Sequence, residues 1–174
     1  TGREVLKQLT KNEKCYKITS VGRRKLNSNQ LNDKINHIVI DSLLNLSQIE
    51  KNWENHDVFF NCIGTTKKKA GGADQFYDIE YGISNEAARV AYKSNIPHAS
   101  LISASGANHN LWAKKWIQPL FYSKTMGQKE ETIVSNYPFQ KISIFRPGML
   151  IRNMENKSIL DKFLKNSGFG LNVS

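Results

Sequence analysis

The sequence predicts an α/β fold built on a doubly wound parallel sheet. Three observations carry that expectation. Short apolar runs alternate with helical segments along the whole 174-residue chain. Such alternation implies crossover connections and a parallel sheet with helices on both faces. The runs are closed in turn by Gly22, Asp41, Gly64 and the Arg146-Pro147-Gly148 turn. The most apolar short run, DVFFNCI over Asp57 to Ile63, reads as a central strand buried on both faces.

Each element follows from its pattern. Gly2 to Thr10 is a helix start, with Val5, Leu6 and Leu9 at helical spacing. Cys15 to Val21 and Ile35 to Ile40 are strands, and Leu46 to Trp53 a short helix. A long helix runs from about Ala73 to Asn95, its apolar stripe made by Phe76, Ile79, Ile83, Ala87, Val90 and Ala91. Pro97 stops it. His98 to Ser103 is the next strand, Phe121 to Ser135 a helix, Gln140 to Phe145 a strand and Ser158 to Lys165 a last helix. There is no internal repeat and no linker. The length suits one domain with a substantial core.

Composition narrows the class. Hydrophobic residues make up 39 %, which argues against disorder. No apolar run approaches the ~20 residues that span a bilayer. Cys15 and Cys62 both fall in apolar runs and are expected to be buried free thiols of a reducing compartment. The net charge of +10 permits a polyanion partner. However, the basic clusters Arg23-Arg24-Lys25 and Lys67-Lys68-Lys69 each follow a strand, no aromatic residues interleave them, and no nucleic-acid motif is present. A nucleic-acid partner is therefore the weakest of the readings.

In open parallel sheets, ligands bind outside the carboxyl ends of the strands. After the first strand stand Gly22, Arg23 and Arg24. An arginine there suits the 2′-phosphate of NADP, whereas an acid suits the ribose hydroxyl of NAD. A solvated basic loop is the plain alternative. Asp41 follows the second strand, placed to meet an adenine edge or simply to cap a loop. Gly64, Thr65 and Thr66 follow the third, where a glycine lets backbone approach a cofactor closely. Ser103, Ala104, Ser105 and Gly106 follow the fourth, with hydroxyls suited to a carbonyl or hydroxyl substrate. Arg146, Pro147 and Gly148 follow the fifth, a rigid turn of the kind that lines a nicotinamide pocket, or no more than a turn.

These residues, in this order, resemble the Tat-interactive protein family, an atypical branch of the short-chain dehydrogenase/reductase superfamily. The carriers are Thr1-Gly2 with the following REVL, VGRRKL at Val21 to Leu26, VIDSL at Val39 to Leu43 and NCIGTTKKKAG at Asn61 to Gly71. LISASGAN at Leu101 to Asn108, FYSKTMGQKEE at Phe121 to Glu131 and IFRPGML at Ile144 to Leu150 complete them. Each motif alone is weak, but seven in order are specific. The resemblance implies a Rossmann-like domain over residues 1–174 that binds NADP(H), truncated at both ends. Gly2 matches the last glycine of the family's GxxGxxG loop, so the first strand, the first two glycines and the family's C-terminal part are expected to be missing. The cofactor-binding positions it implies are Gly2, Arg23, Arg24, Asp41, Ser42, Leu43, Ile63, Gly64, Thr65, Thr66, Ser103, Tyr122, Arg146, Pro147, Gly148 and Met149. Without the glycine loop, whose amides hold the pyrophosphate, weak cofactor binding is expected of this stretch alone.

Short-chain dehydrogenases use Ser, Tyr and Lys, the last two as Tyr-x-x-x-Lys on one helix. The resemblance places Ser103 and Tyr122 at the first two positions and Met126 at the lysine. The i,i+4 spacing puts residue 126 one turn along the face that carries Tyr122. An unperturbed tyrosine has a pKa near ~10, and a cation lowering it by roughly three units would be worth about 4 kcal/mol. Methionine brings no such charge. Lys124 points to the other side of the helix, Lys129 lies about 10 Å along the axis, and Thr125 brings only a hydroxyl. Lys114 and Lys115, in the preceding loop, stay open as substitutes. Tyr122 itself also reads as a buried tyrosine with a satisfied hydroxyl.

Two readings thus lead. One is an NADP-binding regulatory protein with weak or no reductase activity, with protein partners in nuclear transport or transcription control, as the resemblance implies. The other is a working NADPH-dependent oxidoreductase on a small carbonyl substrate. The expected location is cytoplasmic with a nuclear share. A homodimer through the helix bearing Tyr122 stays open, and so does the role of Trp112 and Trp116, at a pocket mouth or in a packed loop.

Overall fold

The computed structural model describes residues 1–30, 32–152 and 170–173, without the side chains of residues 29, 149–152 and 170–173. The chain is a mixed α/β fold with parallel strands. Helix α1 spans Gly2–Lys11. Strands β1 (Ile18–Gly22) and β2 (Ile35–Val39) pair in parallel, Ile18 opposite Ile35. Strands β3 (Val58–Asn61), β4 (His98–Ile102) and β5 (Lys141–Phe145) form a second parallel group in the order β3-β4-β5. Strands β6 (Met149–Arg152) and β7 (Gly170–Val173) make a further parallel pair, which the sequence pattern did not announce. The helix expected over Ser158 to Lys165 lies outside the described residues.

The connections explain why the pairings are parallel, since parallel neighbours need a crossover of a dozen or more residues. Between β3 and β4 the chain makes helix α2 (Lys67–Ala70), helix α3 (Ala73–Tyr77), a π-helical turn (Asp78–Ile83) and helix α4 (Ser84–Lys93). Asn95, at φ 56°, turns the chain out of α4 ahead of Pro97. Between β4 and β5 lies α5 (Gln118–Asn136), with Pro119 in its first turn, where a missing N–H costs nothing. The π turn adds a residue to the helical repeat. Phe76, Glu80, Ile83 and Ser84, spaced four, three and one apart, all point inward across it, while Ile79 is only half-buried.

Three expectations need correction. The short helix expected over Leu46 to Trp53 begins earlier, spans Leu43–Trp53 as 3-10 helix and is broken at Asn45 and Ile49. Strand β3 is not buried on both faces. It pairs with β4 alone among the described residues, and Phe60 stays 39 % exposed, because a continuous apolar run does not say which face meets a partner. Cys15 precedes β1 rather than lying in it, and Cys15 and Cys62 are free but only half-buried.

One apolar core unites the parts. Leu46 of the 3-10 segment, Phe59 of β3, Val90 of α4, Leu101 of β4 and Ile133 of α5 belong to it, with Val21 of β1 packed alongside. His56 Nε2 lies 2.9 Å from Thr19 Oγ1 and links the approach to β3 with β1. Helices α4 and α5 pack against each other, and α4 also packs against β3. Among the described residues, no helix is long and apolar enough to cross a membrane.

Candidate active site

Parallel strands aim their carboxyl ends the same way, so the segments after β1, β3, β4 and β5 are where a ligand is expected. Arg23 and Arg24 follow β1 and are exposed, with no acidic partner among the described residues. Their turn is fixed from beneath. His37 donates from Nε2 to the Arg24 carbonyl at 2.9 Å, and its Nδ1 lies 3.2 Å from Ser20 Oγ. After β2, Asp41 is exposed, and Ser42 Oγ accepts from the Leu44 N–H at 3.3 Å, so that hydroxyl caps the 3-10 segment. Leu43 packs on the core.

The loop after β3 is held by two buried side chains. Asn61, 1 % exposed, accepts the Ile63 N–H on Oδ1 at 3.3 Å. Glu80, 3 % exposed, accepts the Thr65 N–H on Oε1 at 2.6 Å. A Cβ built on Gly64 would lie 3.5 Å from that same oxygen. Thr66 caps α2, its Oγ1 accepting from the Lys69 N–H. Gly2 comes to this loop too, because a Cβ there would lie 3.4 Å from Cys62 Cβ. Beyond α2, an open cleft of about 590 Å³ is lined by Thr66, Lys67, Lys68, Gly71, Gly72 and Gln118.

Ser103 follows β4. Its N–H donates to the Phe145 carbonyl at 2.7 Å, but its buried Oγ has no hydrogen-bond partner among the described residues. A buried orphan hydroxyl costs free energy unless something supplies a partner. Tyr122, on the first turns of α5, is half-buried, its ring 5.9 Å from that of Phe76. Burial, and then the charge of Glu80, push its pKa above the ordinary tyrosine value. Met126 is 3 % exposed. One turn along from Tyr122 there is thus a buried, uncharged side chain, and the neighbouring charge that acts on Tyr122 is negative.

The substitutes are engaged elsewhere. Thr125 Oγ1 donates to the Phe121 carbonyl at 2.8 Å. Lys114 Nζ stands 5.7 Å over the Trp112 ring, and Lys115 pairs with Asp74. Trp112 and Trp116 are both exposed rather than packed. Lys129 is the surprise. It is 1 % exposed, and its Nζ lies 3.6 Å from Glu80 Oε2, with neither atom in a hydrogen bond among the described residues. Burial pulls the Lys129 pKa down against the pull of Glu80, and burial lifts that of Glu80 against the pull of Lys129. Burial likewise raises the Cys62 thiol beside them. Sequence reasoning passed over Glu80 and set Lys129 aside as too far along the helix from Tyr122. The signal was present, since Lys129 stands three residues after Met126 and four before Ile133, inside an apolar stripe.

After β5, Arg146 turns onto α5 and grips Glu130, its Nε 2.9 Å from Oε1 and 3.2 Å from Oε2. Its side chain is 55 % exposed, so the pair is partly solvated. The Pro147 carbonyl accepts the Ser105 N–H at 3.0 Å, tying this turn to the one after β4. Gly148 follows, and Met149 opens β6. The Asn108–His109 backbone lies directly on Gly127 of α5. The first half of the loop between β4 and α5 is therefore anchored at two points.

Comparison with known proteins gives consistent results. A family model described as NAD(P)H-binding matches residues 1–169. Protein HTATIP2 of Rattus norvegicus is 31 % identical over 152 residues, which cover 87 % of this chain and 59 % of the relative. Protein FMP52, mitochondrial, of Meyerozyma guilliermondii is 32 % identical over 159 residues, 88 % of this chain and 62 % of the relative. The chain thus spans about six tenths of the length of these curated relatives. Among solved structures, UDP-glucose 4-epimerase of Thermotoga maritima aligns over 95 % of this chain and 59 % of its own, with TM-score 0.67 and 14 % identity. An oxidoreductase from Lactococcus lactis aligns over 91 % of this chain and 67 % of its own, with TM-score 0.63 and 16 % identity. These two likenesses concern the fold.

Proposed function

The chain belongs to the NAD(P)H-binding family, with HTATIP2 and FMP52 proteins as relatives, and from that premise we propose that the protein binds NADPH in preference to NADH and has weak or no reductase activity, acting instead through protein contacts. The residues fit such a cofactor. Arg23 and Arg24 stand after β1, where a 2′-phosphate would be met, with no acidic partner among the described residues, and among those residues the Ser103 Oγ is without a hydrogen-bond partner. Gly64 to Thr66 offer backbone and small side chains beside them. When bound, the nicotinamide supplies or accepts a hydride.

The observation that carries the reading is Met126, buried where a lysine is needed, one turn from a tyrosine that burial and Glu80 hold protonated. General acid–base work is best served by a pKa near the operating pH, and Tyr122 is moved away from it. A second reading has its own support. Ser103 Oγ is free to meet a substrate oxygen and Tyr122 still carries a proton to give, which suits an NADPH-dependent oxidoreductase on a small carbonyl compound.

The test is NADPH fluorescence and consumption with full-length protein and a panel of carbonyl compounds. The regulatory reading expects the fluorescence to change on binding and no oxidation of NADPH. Steady consumption that disappears in Tyr122→Phe would establish the second reading instead. The cytoplasmic and nuclear placement implied by the resemblance stands beside the word mitochondrial in the yeast relative's name. Imaging of the tagged full-length protein decides between them.

A further inference from the structure

The strongest unexplained feature is the buried Glu80–Lys129 pair. Glu80 stands in the π turn and Lys129 on α5, with side chains 4 % and 0 % exposed. A buried pair of this kind is poor value for stability, because desolvation offsets most of the attraction. Apolar residues of similar size would serve the core as well. What those residues could not do is accept a hydrogen bond from the loop after β3.

That loop needs one. Ile63 and Thr65 are both part-buried, and an amide partly withdrawn from water is steadied by an acceptor. Ile63 uses Asn61 Oδ1 and Thr65 uses Glu80 Oε1, at 3.3 and 2.6 Å. Asn61 is itself held by α4, its Nδ2 donating to the Ser84 carbonyl at 3.4 Å. Alternate amides of the loop are thereby pinned to the long helix, on either side of Gly64. A carboxylate makes the stronger acceptor only while it is ionised. In a buried setting it stays ionised only beside a cation, and Lys129 is the cation within reach.

We propose that Glu80 is a positioning residue for the cofactor loop Gly64–Thr66, that it acts through its hydrogen bond from the Thr65 N–H, and that Lys129 serves to keep the Glu80 carboxylate charged. The proposal deepens the cofactor reading above and rests on it for the identity of the ligand. Glu80 and Lys129 themselves touch no ligand in this scheme. Their effect passes through the backbone of the loop.

The experiment compares two double variants of the full-length protein. Glu80→Met with Lys129→Met removes both charges and the acceptor, whereas Glu80→Gln with Lys129→Met removes both charges and keeps an acceptor oxygen. Backbone amide exchange at Thr65, followed by NMR, is the first readout. NADPH affinity is the second. The expected result is faster Thr65 exchange in the Met/Met variant, with core amides such as Leu101 unchanged, and a dissociation constant for NADPH raised by about tenfold or more. The Gln/Met variant, which keeps an acceptor oxygen but not the charge, is expected to restore both only in part. Thr65 exchange and NADPH affinity that stay at wild-type levels in the Met/Met variant overturn the proposal. Loss of protection throughout the Met/Met core, not repaired in Gln/Met, overturns it as well and makes the pair a packing element. If NADPH binds none of the proteins, the cofactor reading fails, and Thr65 exchange alone still decides whether Glu80 positions the loop.

Discussion

Removing one member of the Glu80–Lys129 pair strands the other in the core, and the cost can be bounded. In Lys129→Met, Glu80 loses its cation while remaining 3 % exposed. It need not stay charged, since it can take up a proton instead. Protonating a carboxyl of ordinary pKa at pH 7 costs about 4 kcal/mol, which is the ceiling on the loss. In Glu80→Met, the stranded Lys129 escapes by giving up its proton, at a ceiling of about 5 kcal/mol at pH 7.

The two losses depend on pH in opposite senses. In Lys129→Met the folded pKa of Glu80 rises above its unfolded value. The native state is then spared below about pH 4 and is penalised progressively as pH climbs from there toward the raised folded value. In Glu80→Met the folded pKa of Lys129 falls, so the penalty is absent above about pH 10 and grows as pH drops from there toward the lowered folded value. The groups facing the pair are Cys62 after β3 and Tyr122 and Glu130 on α5. Tyr122 is held protonated, and burial keeps the Cys62 thiol neutral, so neither offers the lost charge. Urea unfolding at pH 5 to 9 measures the effect. With an m-value of about 2 kcal/mol/M, a 4 kcal/mol loss moves the midpoint by about 2 M. Losses below about 1 kcal/mol in both variants, or pH trends of the same sign, would refute the buried pair.

Three other outcomes follow from the geometry. Gly127→Ala would place a Cβ within the Asn108–His109 backbone, and since backbone cannot step aside cheaply, a loss of about 1–3 kcal/mol in thermal or urea unfolding is expected. Phe76→Ala empties a fully buried site between the rings of Phe121 and Tyr122 and should cost about 3–5 kcal/mol in the same assay. Met126→Lys restores a cation one turn from Tyr122. NADPH consumption with a carbonyl panel is expected to appear in that variant and to vanish again when Tyr122→Phe is added.

Much of the fold was legible because burial writes itself into period and punctuation. The strand runs ending near Gly22, Asp41 and Gly64 and the helices at Gly2–Lys11 and Gln118–Asn136 came through, because each pairs an apolar pattern with a breaker. The 3-10 character of Leu43–Trp53 did not, since that path depends on kinks at Asn45 and Ile49 that leave no periodic trace. Glu80 escaped for another reason. It stands four residues after Phe76 and three before Ile83, on the apolar face, but a charged side chain there reads as a solvated one. Lys129 was judged by its distance from Tyr122 along one helix, when its partner lay on another. The apolar run of β3 misled in the opposite sense, because hydrophobicity cannot say how many faces are covered.

Titration of the full-length protein with NADPH and with NADH, followed by calorimetry at fixed salt, bears most directly on the cofactor reading. Exposed Arg23 and Arg24 after β1 predict that NADPH binds at least about tenfold more tightly, and that the difference disappears when both arginines are changed to serine. Equal affinities for the two nucleotides, or no heat from either at millimolar concentration, would contradict it.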